Sequence, residues 1–357
     1  MSRSLTRIED LAAAGLVAPA DAPALEDLAR RYAVSITPAM AALIDPDDPD
    51  DPIARQFVPD LREADARPEE LADPIGDAAH SPVDGIVHRY RDRVLLKLLH
   101  VCPVYCRFCF RREMVGPGAE QVLSRDKIEA ALAYIAGRPD IWEVILTGGD
   151  PLALSGRRLA EITQALGRIA HVRVLRIHTR VPAVDPDRID AELVAALKDF
   201  GRTVYVALHA NHPRELGPAA EAAVGRLVDG GIAMVSQSVL LRGVNDDVAT
   251  LAQLMRRFVE LRVKPYYLHH GDLAPGTSHL RVDLATGRAL VAGLRATVSG
   301  LCQPAYVLDI PGGFGKVSVA ADHLEPDGVR DHAGRLHDYP ALAGPSGAVA
   351  RKPDFPR

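Results

Sequence analysis

VLLKLLHVCPVYCRFCF, residues 94–110, joins a short aliphatic run to three cysteines, Cys102, Cys106 and Cys109. The run has the length and composition of a buried strand. The cysteines follow it at once. Three thiolates can hold three irons of a cubane cluster and leave the fourth iron open, whereas four cysteines normally complete such a cluster. A CxxxCxxC triplet with no fourth partner nearby therefore points to a cluster that binds something else at its free corner. The competing reading is a zinc knuckle. Structural zinc takes four ligands, and His100 precedes the triplet at a spacing unlike usual zinc patterns. The one remaining cysteine, Cys302, reads as a small buried apolar residue.

Outward from this stretch a rhythm sets in. EVILTGG (143–149), VRVLRIHT (172–179), TVYVALHA (203–210), MVSQSVLL (234–241) and KPYYLHH (264–270) return roughly every 30 residues. Amphipathic stretches such as RDKIEAALAYIAG and GRRLAEITQALGRIA lie between them. Strand–helix alternation at this period indicates βαβ units and a parallel sheet. Six such units suit a partial TIM-like (β/α)6 barrel better than a full eight, with a doubly wound sheet as the alternative. Polar residues gather at the C-terminal ends of these strands: the cysteines, Gly148-Gly149-Asp150, His178, His209 with Asn211, and Asp272. Strand C-termini are where barrels build their active sites. Taken singly, each of these is as readily an ordinary turn residue.

Residues 1–85 read as a helical N-terminal extension, with LTRIEDLAAAGLV and APALEDLARRYAV at helical spacing. DPDDPDDP (45–52) reads as a solvated connector without function. Residues 86–300 read as the barrel core. Residues 301–357 hold one more strand, a glycine-rich turn with Lys316 and a short strand in AYVLDIPGGFGKVSV (305–319), then an irregular tail beyond about 325. The net charge of -5 carries no basic footprint for nucleic acid. No apolar stretch approaches the roughly 20 residues of a transmembrane helix. The N-terminus has no apolar signal segment, and the cysteines form no disulfide framework. These features predict a cytoplasmic protein.

HRYRDRVLLKLLHVCPVYCRFCFRRE, LTGGDPL, SQSVLLRGVND, RVKPYYLHHGDL and VLDIPGGFGK together resemble the lysine 2,3-aminomutase family of radical SAM enzymes, over roughly residues 53–325. The resemblance implies a [4Fe-4S] cluster on Cys102, Cys106 and Cys109. It implies S-adenosyl-L-methionine chelating the open iron, with Gly148, Gly149 and Asp150 at its amino group and Gln237 in contact with it. It implies pyridoxal 5'-phosphate on Lys316 as a Schiff base, with Arg89 and Arg93 near its phosphate. A lysine in a PGGFGK turn would otherwise read as a surface residue, and HRYRDR as a solvated charged turn. A Schiff-base lysine must lose its proton, which a closed, desolvated site favours. The flanking glycines let the backbone approach a cofactor closely.

For the substrate, the resemblance places Arg111 at the carboxylate and Asp272 with Asp309 at the distal ammonium of L-lysine. Two carboxylates converging on a buried site repel and raise a pKa, which a bound ammonium relieves. The expected reaction converts L-lysine to β-lysine through a 5'-deoxyadenosyl radical, with the chemistry carried by the cofactors. An electron donor such as flavodoxin or ferredoxin and a homo-oligomer are further expectations. Family members that degrade lysine carry zinc-binding cysteines. Here no cysteine follows Cys302, and Asp247 stands after Val-Asn-Asp, so that zinc site is not expected and the family's tetrameric assembly is in doubt. An aminomutase serving elongation factor P, an aminomutase for another amino acid, a radical SAM enzyme without pyridoxal function, and a non-enzymatic cluster- or zinc-binding module are the alternatives.

Overall fold

The computed structural model describes residues 3–116 and 121–320, and further on 324–325, 328–331 and 335–338. Residues Met1–Ala320 form one compact unit and Ala321–Arg357 a second. The first is built on nine strands: β1 (Ile86–Tyr90), β2 (Arg93–Leu99), β3 (Glu143–Gly148), β4 (Val174–Thr179), β5 (Thr203–His209), β6 (Ala233–Val239), β7 (Lys264–His269), β8 (Ala305–Ile310) and β9 (Gly315–Ser318). Their order in the sheet follows the chain. Strands β2 to β8 are parallel, and β1 and β9 add antiparallel edges. The edges approach each other where the Lys316 N–H donates to Tyr90 Oη at 2.8 Å. The sheet is thus a nearly closed α/β barrel.

Each of the seven parallel strands alternates between two environments, as the two-residue period of a strand requires. Val144 and Leu146 of β3, Leu175 and Ile177 of β4, and Val206 and Leu208 of β5 enter the buried apolar core. Their neighbours Thr147, Arg176, His178 and His209 face a cavity in the barrel instead. The polar residues noted in the sequence are therefore one inner face, sampled strand by strand.

Helices α1 (Ile8–Ala13), α2 (Ala22–Arg31), α3 (Pro38–Ala41) and α4 (Ala54–Phe57) precede the sheet. The crossovers are α5 (Arg125–Ala136), α6 (Gly156–Gly167), the short α7 (Val181–Val184) with α8 (Ala191–Lys198), α9 (Pro218–Asp229), α10 (Val248–Glu260) and α11 (Leu284–Thr297). Six strand–helix units are thereby followed by a seventh parallel strand. Ser124, Ser155, Asp190, Asp247 and Asp283 cap α5, α6, α8, α10 and α11 by accepting a first-turn N–H. Each cap satisfies an otherwise orphaned donor. Asp247 is thus a helix cap here.

Three local features differ from the sequence reading. HRY lies in strand β1 rather than in a solvated turn. The acidic stretch is not wholly solvated. Asp51 is fully buried and accepts from Ile53 N, Ala54 N and Arg214 Nη1, each at 2.8 Å. In the second unit, β10 (Leu324–Glu325), β11 (Gly328–Arg330) and β12 (Leu336–Asp338) form an antiparallel three-stranded sheet where an irregular tail was expected. The rest of that tail lies outside the described residues. Cys302 is buried in the core, as expected.

Candidate active site

The inner face of the barrel encloses a cavity of about 280 Å³. Every residue that the resemblance assigns to a cofactor or the substrate lines it: the three cysteines, Arg89, Arg93, Arg111, Gly148, Gly149, Asp150, Gln237, Asp272, Asp309 and Lys316; His178 and His209 line it too, and Asn211 does not.

At one end, the chain leaving β2 runs into the cysteine loop and is held by the loop after β3. Gly149 N–H donates to Leu99 O at 2.5 Å, and Asp150 N–H to Val101 O at 3.0 Å. A Cβ at Gly149 would collide with the Val101 backbone, and one at Gly148, whose φ is +114°, with the Leu99 carbonyl. Glycine is needed at both positions because two backbones touch there. The Asp150 carboxylate is buried and turned into the protein. It accepts from Thr179 Oγ1 and Arg180 N, both at 2.7 Å, and from Leu152 N at 3.0 Å. Burial raises its pKa against these bonds. On the cavity wall Gln237 Nε2 donates to His178 Nε2 at 3.0 Å.

All three thiols are unbridged. Burial pushes Cys102 well above the ordinary thiol range and Cys109 up to about 11. It raises Cys106 too, against the opposing charge of Arg180, whose Nη1 donates to Cys106 Sγ at 2.9 Å. Half-buried thiols that hold their protons suit a metal centre whose binding displaces those protons. Among the described residues no three His, Cys, Asp or Glu side chains converge on one point, as a single ion would require. A cubane asks for something different, a thiolate at each of three separate irons. Three unbridged thiols on one loop lining the cavity are a donor set that fits a cluster.

At the other end, a chain of alternating charges crosses the cavity wall. Arg111 donates Nε and Nη2 to Asp77 Oδ2 at 3.2 and 2.8 Å. Arg89 Nη2 lies 3.3 Å from Asp77 Oδ1, and Arg89 Nη1 lies 3.9 Å from Asp309 Oδ1. Lys316 Nζ donates to both Asp309 oxygens, at 2.8 and 2.6 Å. His269 Nδ1 stands 3.8 Å from Asp309 Oδ2. Burial alone would raise Asp309, but the nearby His269 ring and the Lys316 ammonium bring it down to about 2. Asp272 has no such support. Burial, then the neighbouring Asp309 charge, lifts it to about 7. Of the two converging carboxylates, one is thus held ionised and the other pushed toward neutrality. Arg93 stacks on the Tyr90 ring at 3.8 Å and pairs with Asp92 at the barrel edge. The Lys316 amine lines the cavity, and once released from its ion pair with Asp309 it could form the nitrogen bond of a carbonyl cofactor.

Sequence reading missed several members of this wall. Asp77 belongs to the N-terminal extension, 34 residues before Arg111. Arg180 ties Cys106 to the fully buried Glu215 carboxylate and to Gln56 Oε1, the latter at 3.2 Å. His269 was missed as well; like His178 and His209, which the strand ends had already marked, it is driven toward the neutral form, chiefly by burial. The LHH of β7 carried the one available signal, since a strand's alternation sends one of its two histidines inward.

Comparison with known proteins agrees with this architecture. Residues 96–255 match the radical SAM superfamily. The chain is 40% identical over 291 residues to the L-lysine 2,3-aminomutase of Clostridium subterminale, covering 82% of this chain and 70% of that protein. It is 39% identical, again over 82% of its length, to the L-lysine 2,3-aminomutase of Fusobacterium nucleatum, covering 68% of that protein. It is 30% identical over its whole length to the glutamate 2,3-aminomutase of Clostridioides difficile, covering 82% of that protein. A likeness of this strength and extent makes the chain a member of the lysine 2,3-aminomutase family of radical SAM enzymes.

Proposed function

We propose that the chain is an isomerase that moves the α-amino group of L-lysine to C3, giving β-lysine. The observation that carries this reading is the pairing of Asp272 with Asp309 in the cavity that also holds Arg111, Lys316 and the three cysteines. When bound, a [4Fe-4S] cluster with S-adenosylmethionine supplies a primary radical, and pyridoxal phosphate supplies a carbonyl that carries the migrating nitrogen. Cys102, Cys106 and Cys109 would hold the cluster. The exposed backbone of Gly148 and Gly149, with Asp150 beneath it and Gln237 opposite, would border the S-adenosylmethionine. Lys316 would hold the pyridoxal, with Arg89 and Arg93 toward its phosphate.

The residues' own part is position and charge. Once Lys316 is committed elsewhere, Asp309 loses its cation. A substrate ammonium can then take that place and draw Asp272 into the ionised form by charge-assisted hydrogen bonds. The Arg111 guanidinium offers its Nη1 side, which lies 3.5 Å from Thr147 Oγ1, to the substrate carboxylate. Enclosure in the barrel holds the reacting carbon near the radical source and keeps water from it. A glutamate side chain would instead bring a third carboxylate to Asp272 and Asp309, and the repulsion disfavours it. The extension 1–85, core 86–300 and segment 301–357 would then serve as wall, radical site and pyridoxal site. A small iron–sulfur or flavin protein as reductant, a homo-oligomer and a cytoplasmic setting fit such an enzyme. Among the described residues no helix is long and apolar enough to cross a membrane.

The test is anaerobic reconstitution with iron, sulfide, pyridoxal phosphate, S-adenosylmethionine, dithionite and L-lysine. β-Lysine should form. Its absence, with S-adenosylmethionine cleaved and another amino acid isomerised, would transfer the reading to that substrate.

A further inference from the structure

Asp77 is absorbed by none of the roles above, yet it sits at the centre of the charged wall. Its side chain is only 5% exposed. It stands one residue before a short helical turn, Ala78–His80, whose entry is fixed when Asp73 accepts from Asp77 N at 2.9 Å and Ala78 N at 2.8 Å. That fixed backbone presents the carboxylate to two arginines at once. Oδ2 takes the Nε and Nη2 of Arg111, while Oδ1 faces Arg89 Nη2. Arg111 is therefore bound along one edge of its guanidinium, and its Nη1 points toward Thr147 Oγ1 at 3.5 Å, a second cavity-lining residue. A guanidinium is planar, so pinning one edge fixes the direction of the other.

We infer that Asp77 is a specificity-determining positioning residue: by pinning the Nε–Nη2 edge of Arg111, it aims the remaining edge at the carboxylate of the substrate and makes the cavity selective for amino acids over simple amines. This rests on the reading of Arg111 under Proposed function. It also gives the N-terminal extension a part in substrate choice. Without Asp77 the guanidinium keeps its charge but loses its direction. The substrate's amine end, at Asp272 and Asp309, keeps its own carboxylates and is linked to Asp77 only indirectly, through Arg89 and through the Asp77 charge.

The experiment is calorimetric titration of the reconstituted protein, without reductant, using two probes. 6-Aminohexanoate carries a carboxylate and a distal ammonium, and 1,5-diaminopentane carries no carboxylate. Losing one charge-assisted hydrogen-bond partner of Arg111 should weaken 6-aminohexanoate by about tenfold in Asp77→Ala. The affinity for 1,5-diaminopentane should stay within about twofold. Asp77→Asn, which retains an acceptor and the side-chain shape, should fall between wild type and Asp77→Ala. In turnover, KM for lysine should rise more than kcat falls. Equal weakening of both probes would mean a merely structural role and overturn the inference, as would no change in either. Arg111→Ala is titrated alongside. If it leaves 6-aminohexanoate binding intact, the assignment of Arg111 fails and this inference with it. If Arg111→Ala weakens that probe and Asp77→Ala does not, this inference alone fails.

Discussion

Asp272 and Asp309 show how the same side chain acquires different properties within one cavity. Asp309 has Lys316 on both oxygens and His269 beside it, and is held at about 2. Asp272 is half-buried beside a like charge and lifted to about 7. The sign of the consequence follows from linkage. A carboxylate raised in the folded state disfavours folding wherever the unfolded chain would ionise it. That cost is absent below the ordinary carboxylate range, grows between about pH 4 and pH 7, and is constant above. In the cofactor-free chain, Asp272→Asn should therefore be more stable than wild type at pH 8 by on the order of 2 kcal/mol, and equal to it at pH 4. Denaturant titrations at the two pH values measure this. A gap of the same size at both would show that Asp272 is not raised. The convergence of the two aspartates was legible from the motifs HHGDL and VLDIPGG. Which of them is held ionised was not, because that depends on Lys316 and His269, placed by β9 and β7.

At the scale of elements, the parallel strands were legible because each is an aliphatic run with polar residues at every second position or at its end. β1 was not. Arg89 and Tyr90 carry the composition of an exposed turn, and only pairing with β2 makes IVHRY a strand. The glycines after β3 have a reason no local pattern displays: they are a crossing point between the β3 loop and the chain entering Cys102. Gly149→Ala would place a methyl group against the Val101 backbone. The cysteine loop must shift, at a cost of about 1–3 kcal/mol, and the thiols move with it. Iron content after anaerobic reconstitution should fall well below one cluster per chain while the circular dichroism of the barrel is retained. Full iron content with an unchanged thermal midpoint would show that the crossing tolerates a side chain.

At the scale of the whole first unit, the N-terminal extension is tied into the barrel by buried charge. Glu63 has no exposed side-chain surface. It accepts from Arg107 Nε at 2.9 Å and Nη2 at 2.5 Å, and also pairs with Arg112. Both arginines flank the last cysteine, and Arg112 stacks on Tyr32 at 3.7 Å and donates to Gly276 O at 3.1 Å. Burial would raise the Glu63 pKa, and the two guanidinium groups bring it below the ordinary range. Removing the anion leaves two cations facing each other out of water. Glu63→Ala should destabilise the chain by about 3–5 kcal/mol, read from chemical denaturation. A loss under about 1 kcal/mol would mean that water reaches and screens the pair. Nothing in the extension's own sequence signals this, since its partners lie 44 and 49 residues further on. A separation of 34 residues from Arg111 hid Asp77 in the same way.

The most direct measurement of the central claim is the ratio of kcat/KM for L-lysine to that for L-glutamate, in the wild-type chain and in Asp272→Lys, under the same anaerobic conditions. Two carboxylates at the distal end should give the wild type a preference for lysine of about a hundredfold or more. Asp272→Lys should abolish lysine turnover while leaving bound iron and pyridoxal absorbance unchanged. Lysine turnover that survives the charge reversal, or a wild type that prefers glutamate, would contradict the assignment of Asp272 and Asp309 to the substrate's ammonium.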